Sequence, residues 1–501
     1  MDSFLLGATA LDVLAANHCS RRELALRQAQ RLERLLRELA RGNTLYAAHL
    51  RGRGYGIPPL QQLPVVTKVE LMQRFDEWVT DPQLKLADLQ AFTADPNRIA
   101  APYLGHYTVW ESSGSSGTPG IFVQDCCAMA LYDALEAFRR SPASPYRRWL
   151  DPLYLGERMA FVGATEGHFA SIVSVRRLRS INPWAAQGTR SFSILQPVAS
   201  LVRELNAFAP SILSTYPTVA TLLAGQQALG HLHITPQEVW TGGETLSPMA
   251  REHIAGVFQC AVRNHYGASE FFSIASECAQ GRLHANTDWL VLEPVDLKYR
   301  PVPAGQASAT TLLTHLGNHV QPLVRYDLGD QITVDSQPCA CGSPLPVIQV
   351  CGRNDPPLHL RGRHGHRVII VPLALVTVLE EQGGLFDFQL RRCDDVSVEL
   401  AVPQTGDAAQ ARLRRACAAL QRYFALQGLA PIHISTRAGV KLISVSGSTL
   451  GFQLAKASTS SFFTTRPSSK RKRFSKSTFK LNGNLFSCGS CLARVFNEKM
   501  S

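Results

Sequence analysis

Apolar residues recur at helical spacing through residues 21–51, where Leu24, Leu26, Leu32, Leu35, Leu36 and Leu39 are interleaved with arginines. A period near 3.6, with charge on the opposite side, predicts an amphipathic helix. The stretch Leu60–Phe75, LQQLPVVTKVELMQRF, predicts a proline-marked turn and then a helix capped by Thr67, with Glu70 completing a capping box. Cys126–Arg140, Pro197–Phe208 and Tyr216–Leu229 also read as helices. Arg158–Gly163 begins a series of short apolar, β-rich segments, and Ile234–Glu244 reads as a strand running into a Gly-Gly turn. β propensity is high over Gln306–Val334, and Val350–Pro372 has strand character broken by Pro356, Pro357 and glycines. Helix and then strand follow to about Val402, and Asp407–Gly428 is a further amphipathic helix. This alternation predicts an α/β architecture. No internal repeat is evident.

After Val445 the periodicity disappears and Ser, Thr, Phe and Lys become frequent. The 501 residues carry a net charge of +12, but residues 447–501 hold six Lys, four Arg and one Glu, which leaves about +3 for the rest. The basic character therefore belongs to a tail, either a flexible extension or a segment of altered reading frame. It is no sign of a nucleic-acid or membrane partner for the main body. With 45% hydrophobic and 18% charged residues the composition is that of a soluble globular protein of two or more domains. No apolar run approaches the ~20 residues that span a bilayer. Residues 1–16 are apolar, but Asp2 and Asp12 interrupt them and no basic region or cleavage site flanks them, so no signal peptide is expected. Twelve unevenly spaced cysteines do not form a disulfide framework, and a reducing cytoplasm is the expected location.

The chemistry centres on Trp110–Gly120, WESSGSSGTPG, where glycines and small hydroxyl residues precede a β-branched run. Successive free N–H groups in such a stretch form a concavity suited to phosphate oxygens, and hydroxyls add donors. Taken alone it suits a flexible surface loop equally well. The Gly-Lys-Ser/Thr ending of a P-loop is excluded, because Thr118 and Pro119 follow Gly117, and GxGxxG is absent.

Four further stretches carry candidate chemistry. Trp240–Pro248, WTGGETLSP, places Gly242, Gly243 and Glu244 at the end of a strand, where ligands bind in α/β sheets, though a plain strand-to-helix turn capped by Thr245 fits as well. Asn264–Glu270 reads NHYGASE and Val324–Asp330 reads VRYDLGD. Cys351–Gly365 reads CGRNDPPLHLRGRHG. Separately, Cys278-x5-His284 and Cys339-x-Cys341 supply four zinc-type ligands, although this spacing alone favours unrelated side chains. In the tail, Cys488 and Cys491 stand without a second pair, and Lys470–Arg473 reads KRKR.

Taken together, these stretches resemble the motifs of the adenylate-forming ligases, most closely the phenylacetate–CoA ligase and coenzyme F390 synthetase branch, in the family's order from about residue 20 to 400. Ser112–Gly120 is similar to the family's SSGTTGKPT loop, with Thr118 where the family has lysine. Leu60–Phe75 is similar to its "LP-x-T-K-x-x-L" packing segment. The resemblance implies that Ser112, Ser113, Gly114, Ser115, Ser116, Gly117 and Thr118 cradle phosphates. It sets Gly242, Gly243 and Glu244 against adenine and ribose. Tyr266 would stack on adenine, Gly267 would allow close approach, Ser269 would hydrogen-bond a phosphate and Glu270 would hold Mg2+. Asp330 would accept from both ribose hydroxyls. Arg325 would be a phosphate partner or only an ion-pair donor, and Asp327 would shape the turn. Arg353 would contact ribose or phosphate and Asp355 would be the hinge, with Pro356 in place of the family's second aspartate. Lys470, with Lys472 behind it, would be the catalytic lysine of the C-terminal "S-G-K-x-x-R". Some members of the branch carry a structural zinc in the arrangement of Cys278, His284, Cys339 and Cys341.

The implied fold is α/β: a large multi-subdomain N-terminal AMP-binding domain (residues 1–350) with mixed sheets and helices, a small mobile α+β C-terminal domain (351–446), and the basic tail (447–501). The implied activity is ATP-dependent conversion of a carboxylic acid, aryl or arylacetic, to an acyl-adenylate and transfer to the thiol of coenzyme A. The partners are then small molecules, with no nucleic acid and no membrane; a homodimer is one option for the assembly. Phe161, Phe169, Trp184 and Tyr216 are the aromatic candidates for the acid pocket. The alternatives are transfer of AMP to a cofactor hydroxyl, acyl transfer to an amine or carrier protein, and a non-catalytic nucleotide-binding relative. The missing lysine at Thr118 would be offset by Arg325, Mg2+ or a C-terminal lysine, or would slow adenylation.

Overall fold

The computed structural model describes residues 3–42, 45–47, 50, 58–112, 119–144, 146, 150–151, 156–351, 357–385, 388–440 and 453–456. The described residues all lie within one compact unit, Met1–Ser461. Among them, no helix is long and apolar enough to cross a membrane.

A nine-stranded mixed sheet organises the chain. Five strands are parallel, in the order Thr189–Ser193, Met159–Gly163, Ile212–Thr215, Glu238–Gly242, Ala261–Tyr266. Ala275–Glu277, Leu283–Ala285, Val347–Cys351 and Gln331–Val334 continue it antiparallel. After Met159–Gly163 the chain goes first to one side and then to the other, so the strand order reverses there. Such a reversal opens a crevice at the carboxyl ends of the strands. The fold is the mixed α/β architecture that the alternating pattern predicts.

The helices follow the apolar spacing. Arg21–Arg41 buries Leu24, Leu35, Leu36 and Leu39, while Leu26 is turned out. Its start is fixed by a reciprocal box, Ser20 Oγ accepting from Glu23 N and Glu23 Oε2 accepting from Ser20 N. The helix stops at Arg41, short of the predicted residue 51, with Gly42 N donating to Glu38 O. Lys68–Gln73 is capped by Thr67, whose Oγ1 accepts from Glu70 N at 3.4 Å, but the reciprocal Glu70 half of the predicted box does not form. Cys126–Phe138, Val198–Phe208, Pro217–Ala228 and Asp407–Leu426 fall where the periodicity placed helices. A helix Ser3–Asn17, for which the sequence reading set no element, precedes them.

Two expectations change. The strand predicted over Ile234–Glu244 is confined to Glu238–Gly242. Pro236 has no N–H to give a ladder, and Ile234 is instead fixed by the Gln227 side chain, which meets both its N–H and its carbonyl. Within the tail, Gln453–Lys456 is a strand that pairs antiparallel with Phe388–Arg391.

Beyond residue 357, a hairpin (Leu358–Arg361, Arg367–Ile370) leads into the helix Pro372–Thr377, which runs on as a π turn over Val378–Gln382. A four-stranded sheet follows, in the order His433–Ala438, Ser397–Val402, Phe388–Arg392, Gln453–Lys456. Leu375, Leu420, Tyr423 and Phe424 share one apolar cluster with Val219, Leu223 and Val239 of the parallel half. A second cluster holds the first helices, Trp78, Trp110 and Tyr132 against the other face. Each fully buried Leu or Phe contributes ~1.5–3 kcal/mol relative to an exposed one.

Candidate active site

The carboxyl ends of the parallel strands gather the sequence motifs. The strand Glu238–Gly242 ends in Gly242-Gly243-Glu244, and Ala261–Tyr266 ends in Tyr266 and the turn to Glu270. Gly243 has φ +76, and a Cβ there would stand 3.0 Å from the Tyr216 ring, so both backbone and space call for glycine. Glu244 is tied down by Thr218, whose N–H donates to Oε2 at 3.0 Å and whose hydroxyl donates at 2.8 Å. It thereby holds the start of the helix Pro217–Ala228. The helix after this turn is capped by Ser247, not by Thr245: Ser247 Oγ accepts from Ala250 N at 3.1 Å. Gly267 is required by the chain itself, because a Cβ there would collide with the Phe272 carbonyl.

The strands on either side of the glycine- and serine-rich stretch pair with each other. Thr108–Glu111 pairs with Ile121–Gln124, ending at Glu111↔Ile121. Ser112 closes the neck twice. Its N–H donates to Gly120 O at 2.7 Å, and its Oγ accepts from Gly120 N at 2.9 Å. Residues 113–118, which include Ser113, Gly114, Ser115, Ser116, Gly117 and Thr118, lie outside the described residues. Trp110, fully buried, donates its indole N–H to Ser269 O at 2.8 Å and so ties the hairpin to the Tyr266–Glu270 turn. Ser269 Oγ makes a long contact of 3.4 Å to Glu111 O.

The VRYDLGD motif enters from the three-stranded sheet Leu290–Val295, Thr310–His315, Tyr326–Asp327. Gly329 at φ +75 lets it turn, with Gly329 N donating to Asp327 Oδ1 at 3.0 Å, so Asp327 shapes the turn as expected. Asp330 then meets the first motif: Tyr266 Oη donates to Asp330 Oδ2 at 2.7 Å. In the other direction Tyr326 Oη donates to Glu270 Oε1 at 2.6 Å. Burial, reinforced by the Asp330 charge, holds the Tyr266 phenol well above its usual range, so it stays a donor.

Arg325 does not face this edge with a free cation. Its Nε pairs with Glu293 Oε2 at 3.1 Å, and its Nη1 donates to Leu63 O and Gln61 O. Of its two expected roles the structure supports the ion pair. Phe161, Phe169 and Tyr216 crowd Gly163, Gly167 and Gly243 at the strand ends. Trp184 does not join them. It is 67% exposed on the helix Pro183–Gly188, which leads into the opposite end of the sheet at Thr189.

Cys278, His284, Cys339 and Cys341 converge, with all four ligand atoms within 4.8 Å of one another. Cys278 Sγ and Cys339 Sγ are 3.9 Å apart, and Cys341 Sγ lies 3.3 Å from His284 Nε2. Tetrahedral Zn2+ with Zn–S near 2.3 Å requires ligand–ligand edges of about 3.8 Å, so the set fits that ion. His284 Nδ1 is 2.9 Å from Leu345 O. Donation there leaves Nε2 as the metal-facing lone pair. Burial also pushes the His284 imidazole below its ordinary range, which keeps it neutral.

Arg353, Asp355, Pro356, Lys470, Lys472, Cys488 and Cys491 lie outside the described residues. Sequence reasoning missed Trp110 as a brace and Tyr326 as the partner of Glu270. The signal for the first was available, since a buried indole N–H needs an acceptor.

No family model matches the chain. Protein CapK of Staphylococcus aureus is 22% identical over 320 residues, which cover 62% of this chain and 63% of that protein, less than two thirds of the relative's length. Among solved structures, 2-hydroxyisobutyryl-CoA ligase with 2-HIB-AMP and CoA in its thioesterification state matches with a TM-score of 0.52 and 18% identity, covering 87% of this chain and 90% of that one. The same ligase with 2-HIB-AMP in the postadenylation state gives a TM-score of 0.49 at 17% identity, over 86% and 88% of the two chains. The likeness is one of fold: the chain has the fold of the adenylate-forming ligases, as the motifs implied.

Proposed function

We propose that this chain activates a carboxylic acid with ATP and passes the acyl group to a thiol, as a member of the adenylate-forming ligases close to the phenylacetate–CoA ligase branch. The observation that carries the reading is the convergence of three separate motifs on one edge of the sheet. Trp110 joins the hairpin to the Tyr266–Glu270 turn, and that turn exchanges hydrogen bonds with the Tyr326–Asp330 turn.

In this reading a substrate carboxylate oxygen attacks the α-phosphorus of ATP and pyrophosphate leaves, giving a mixed anhydride. The thiol sulfur of coenzyme A then attacks the acyl carbon, the C–O bond to phosphate breaks and AMP leaves. The protein's task is positioning and charge neutralisation. Ser112 and residues 113–118 hold phosphates, with Ser269 beside them. Gly242, Gly243 and Glu244 border the adenine and ribose, Tyr266 stacks on adenine, and Asp330 takes the ribose hydroxyls with Arg353. Glu270 offers a hard carboxylate to Mg2+, which when bound offsets phosphate charge. Residues 351–446 act as a mobile domain turning about Asp355, and Lys470 serves the adenylation step. Cys278, His284, Cys339 and Cys341 hold a structural zinc, a closed set with no vacant position. The acid is aryl or arylacetic, and the enzyme works in the cytoplasm.

The test is carboxylate-dependent ATP–pyrophosphate exchange over a panel of aryl, arylacetic and fatty acids. Exchange with the aryl class, followed by coenzyme A consumption, is the expected result. ATP binding without exchange for any acid would overturn it and favour AMP transfer to a cofactor or a non-catalytic protein.

A further inference from the structure

We propose that Tyr326 is a positioning residue for the cation-binding carboxylate: its phenol holds Glu270 so that one oxygen is engaged and the other is presented to a nucleotide-bound divalent cation. The inference rests on the functional reading above for what Glu270 binds, and on geometry for how it is held.

Glu270 lies in a short turn in which Ala268 and Phe271 exchange backbone hydrogen bonds, and it is 8% exposed. A glutamate there has three side-chain torsions, and nothing in the turn fixes them. Its Oε1 accepts from Tyr326 Oη at 2.6 Å. Among the described residues no donor faces Oε2, so that oxygen is left to a ligand. Tyr326 is itself immobile. It is 2% exposed, pairs with Leu313 across the three-stranded sheet, and bridges to Val66 on its other side. A buried phenol needs an acceptor, and a backbone carbonyl would serve stability as well. Here the donor is spent on a carboxylate at the ligand edge.

The arrangement is reciprocal. Tyr266 of the first turn donates to Asp330 of the second, and Tyr326 of the second donates to Glu270 of the first. Each turn therefore sets the orientation of the other's carboxylate. The acid that takes the cation and the acid that takes the ribose keep one spacing, and the two ends of a nucleotide are read against a single frame.

The experiment is Tyr326→Phe, which removes one oxygen from a fully enclosed ring. Mn2+ binding in the presence of ATP, read by electron paramagnetic resonance without any acid, is expected to weaken about tenfold, the worth of a hydrogen bond to a charged group. In exchange assays the Mg2+ requirement should rise while kcat at saturating Mg2+ falls less. In a Glu270→Gln background Tyr326→Phe should add nothing. Equal losses in both backgrounds, or a lowered melting temperature with unchanged Mn2+ affinity, would make the hydroxyl merely structural and overturn the proposal. Should Tyr326→Phe fail to fold, Glu270→Asp draws the carboxylate out of reach of Tyr326 while keeping its charge. The same loss of Mn2+ affinity is expected, and full affinity would sink the idea. A wild-type chain that binds Mn2+ with ATP yet gives no exchange overturns the ligase reading alone; one that binds no Mn2+ with ATP overturns both.

Discussion

Arg325 and Glu293 form a buried ion pair, Nε to Oε2 at 3.1 Å, with side chains 8% and 11% exposed. Its Nη1 donates to Leu63 O and Gln61 O, so the pair fastens the strand Leu290–Val295 to the segment before the helix Lys68–Gln73. An arginine so placed acts on folding. Arg325→Met should cost about 3–5 kcal/mol, because Glu293 would be left buried and unpaired. Adding Glu293→Leu should recover most of the loss. Urea titrations check both, and ATP affinity of the folded single variant should be unchanged. Lost ATP binding at full stability would return Arg325 to the phosphates.

The four-ligand cluster predicts metal in the purified protein. Elemental analysis should find one zinc per chain, and a strong chelator should lower the melting temperature as it removes the ion. Cys341→Ser should lose the zinc and destabilise on the order of several kcal/mol, since binding energy at a structural site is folding energy. A metal-free wild-type chain of full stability would refute the assignment.

Glu381 predicts a pH dependence. Its carboxylate lies over Gly167, where a Cβ would come within 2.9 Å of Oε1. Although its side chain keeps contact with solvent, the protein packed beside it, followed by repulsion from Glu166, Glu380 and Glu111, holds it above the ordinary carboxylate range. The unfolded chain loses this proton near the ordinary value, and the folded chain keeps it to a higher pH. Between those limits the native state binds more protons, so stability falls as pH rises. Melting temperatures from pH 5 to 8.5 should decline less steeply in Glu381→Gln than in wild type. Parallel curves would show that Glu381 ionises freely in the native state.

Elements whose signal is local were legible. Asp407–Leu426 and Cys126–Phe138 carry a full helical period, and Gly243 of the predicted Gly-Gly turn takes positive φ. What joins the motifs was not legible. Tyr266 and Asp330 are 64 residues apart and Tyr326 and Glu270 are 56 apart, and no period in the chain links them. The predicted strand at Ile234 failed because a side chain, Gln227, replaced the ladder. Gln453–Lys456 is extended because the edge of Phe388–Arg392 pairs with it, which is a tertiary effect on a segment of weak local preference. The four metal-type ligands were visible as residues. Their spacing alone argued against a site, and the antiparallel pairing of Leu283–Ala285 with Val347–Cys351 is what carries His284 toward the Cys339–Cys341 segment.

The double closure between Ser112 and Gly120 has a consequence for how residues 113–118 tolerate change. The strands and this neck already bring both ends of residues 113–118 together, so folding itself meets the cost of that closure. Residues 113–118 can then vary in charge, as Thr118 does against the family's lysine, without loosening the anchorage. In the proposed reading, a lysine-bearing version of residues 113–118 carried on the same Ser112–Gly120 neck would bring a cation to phosphate and keep that closure.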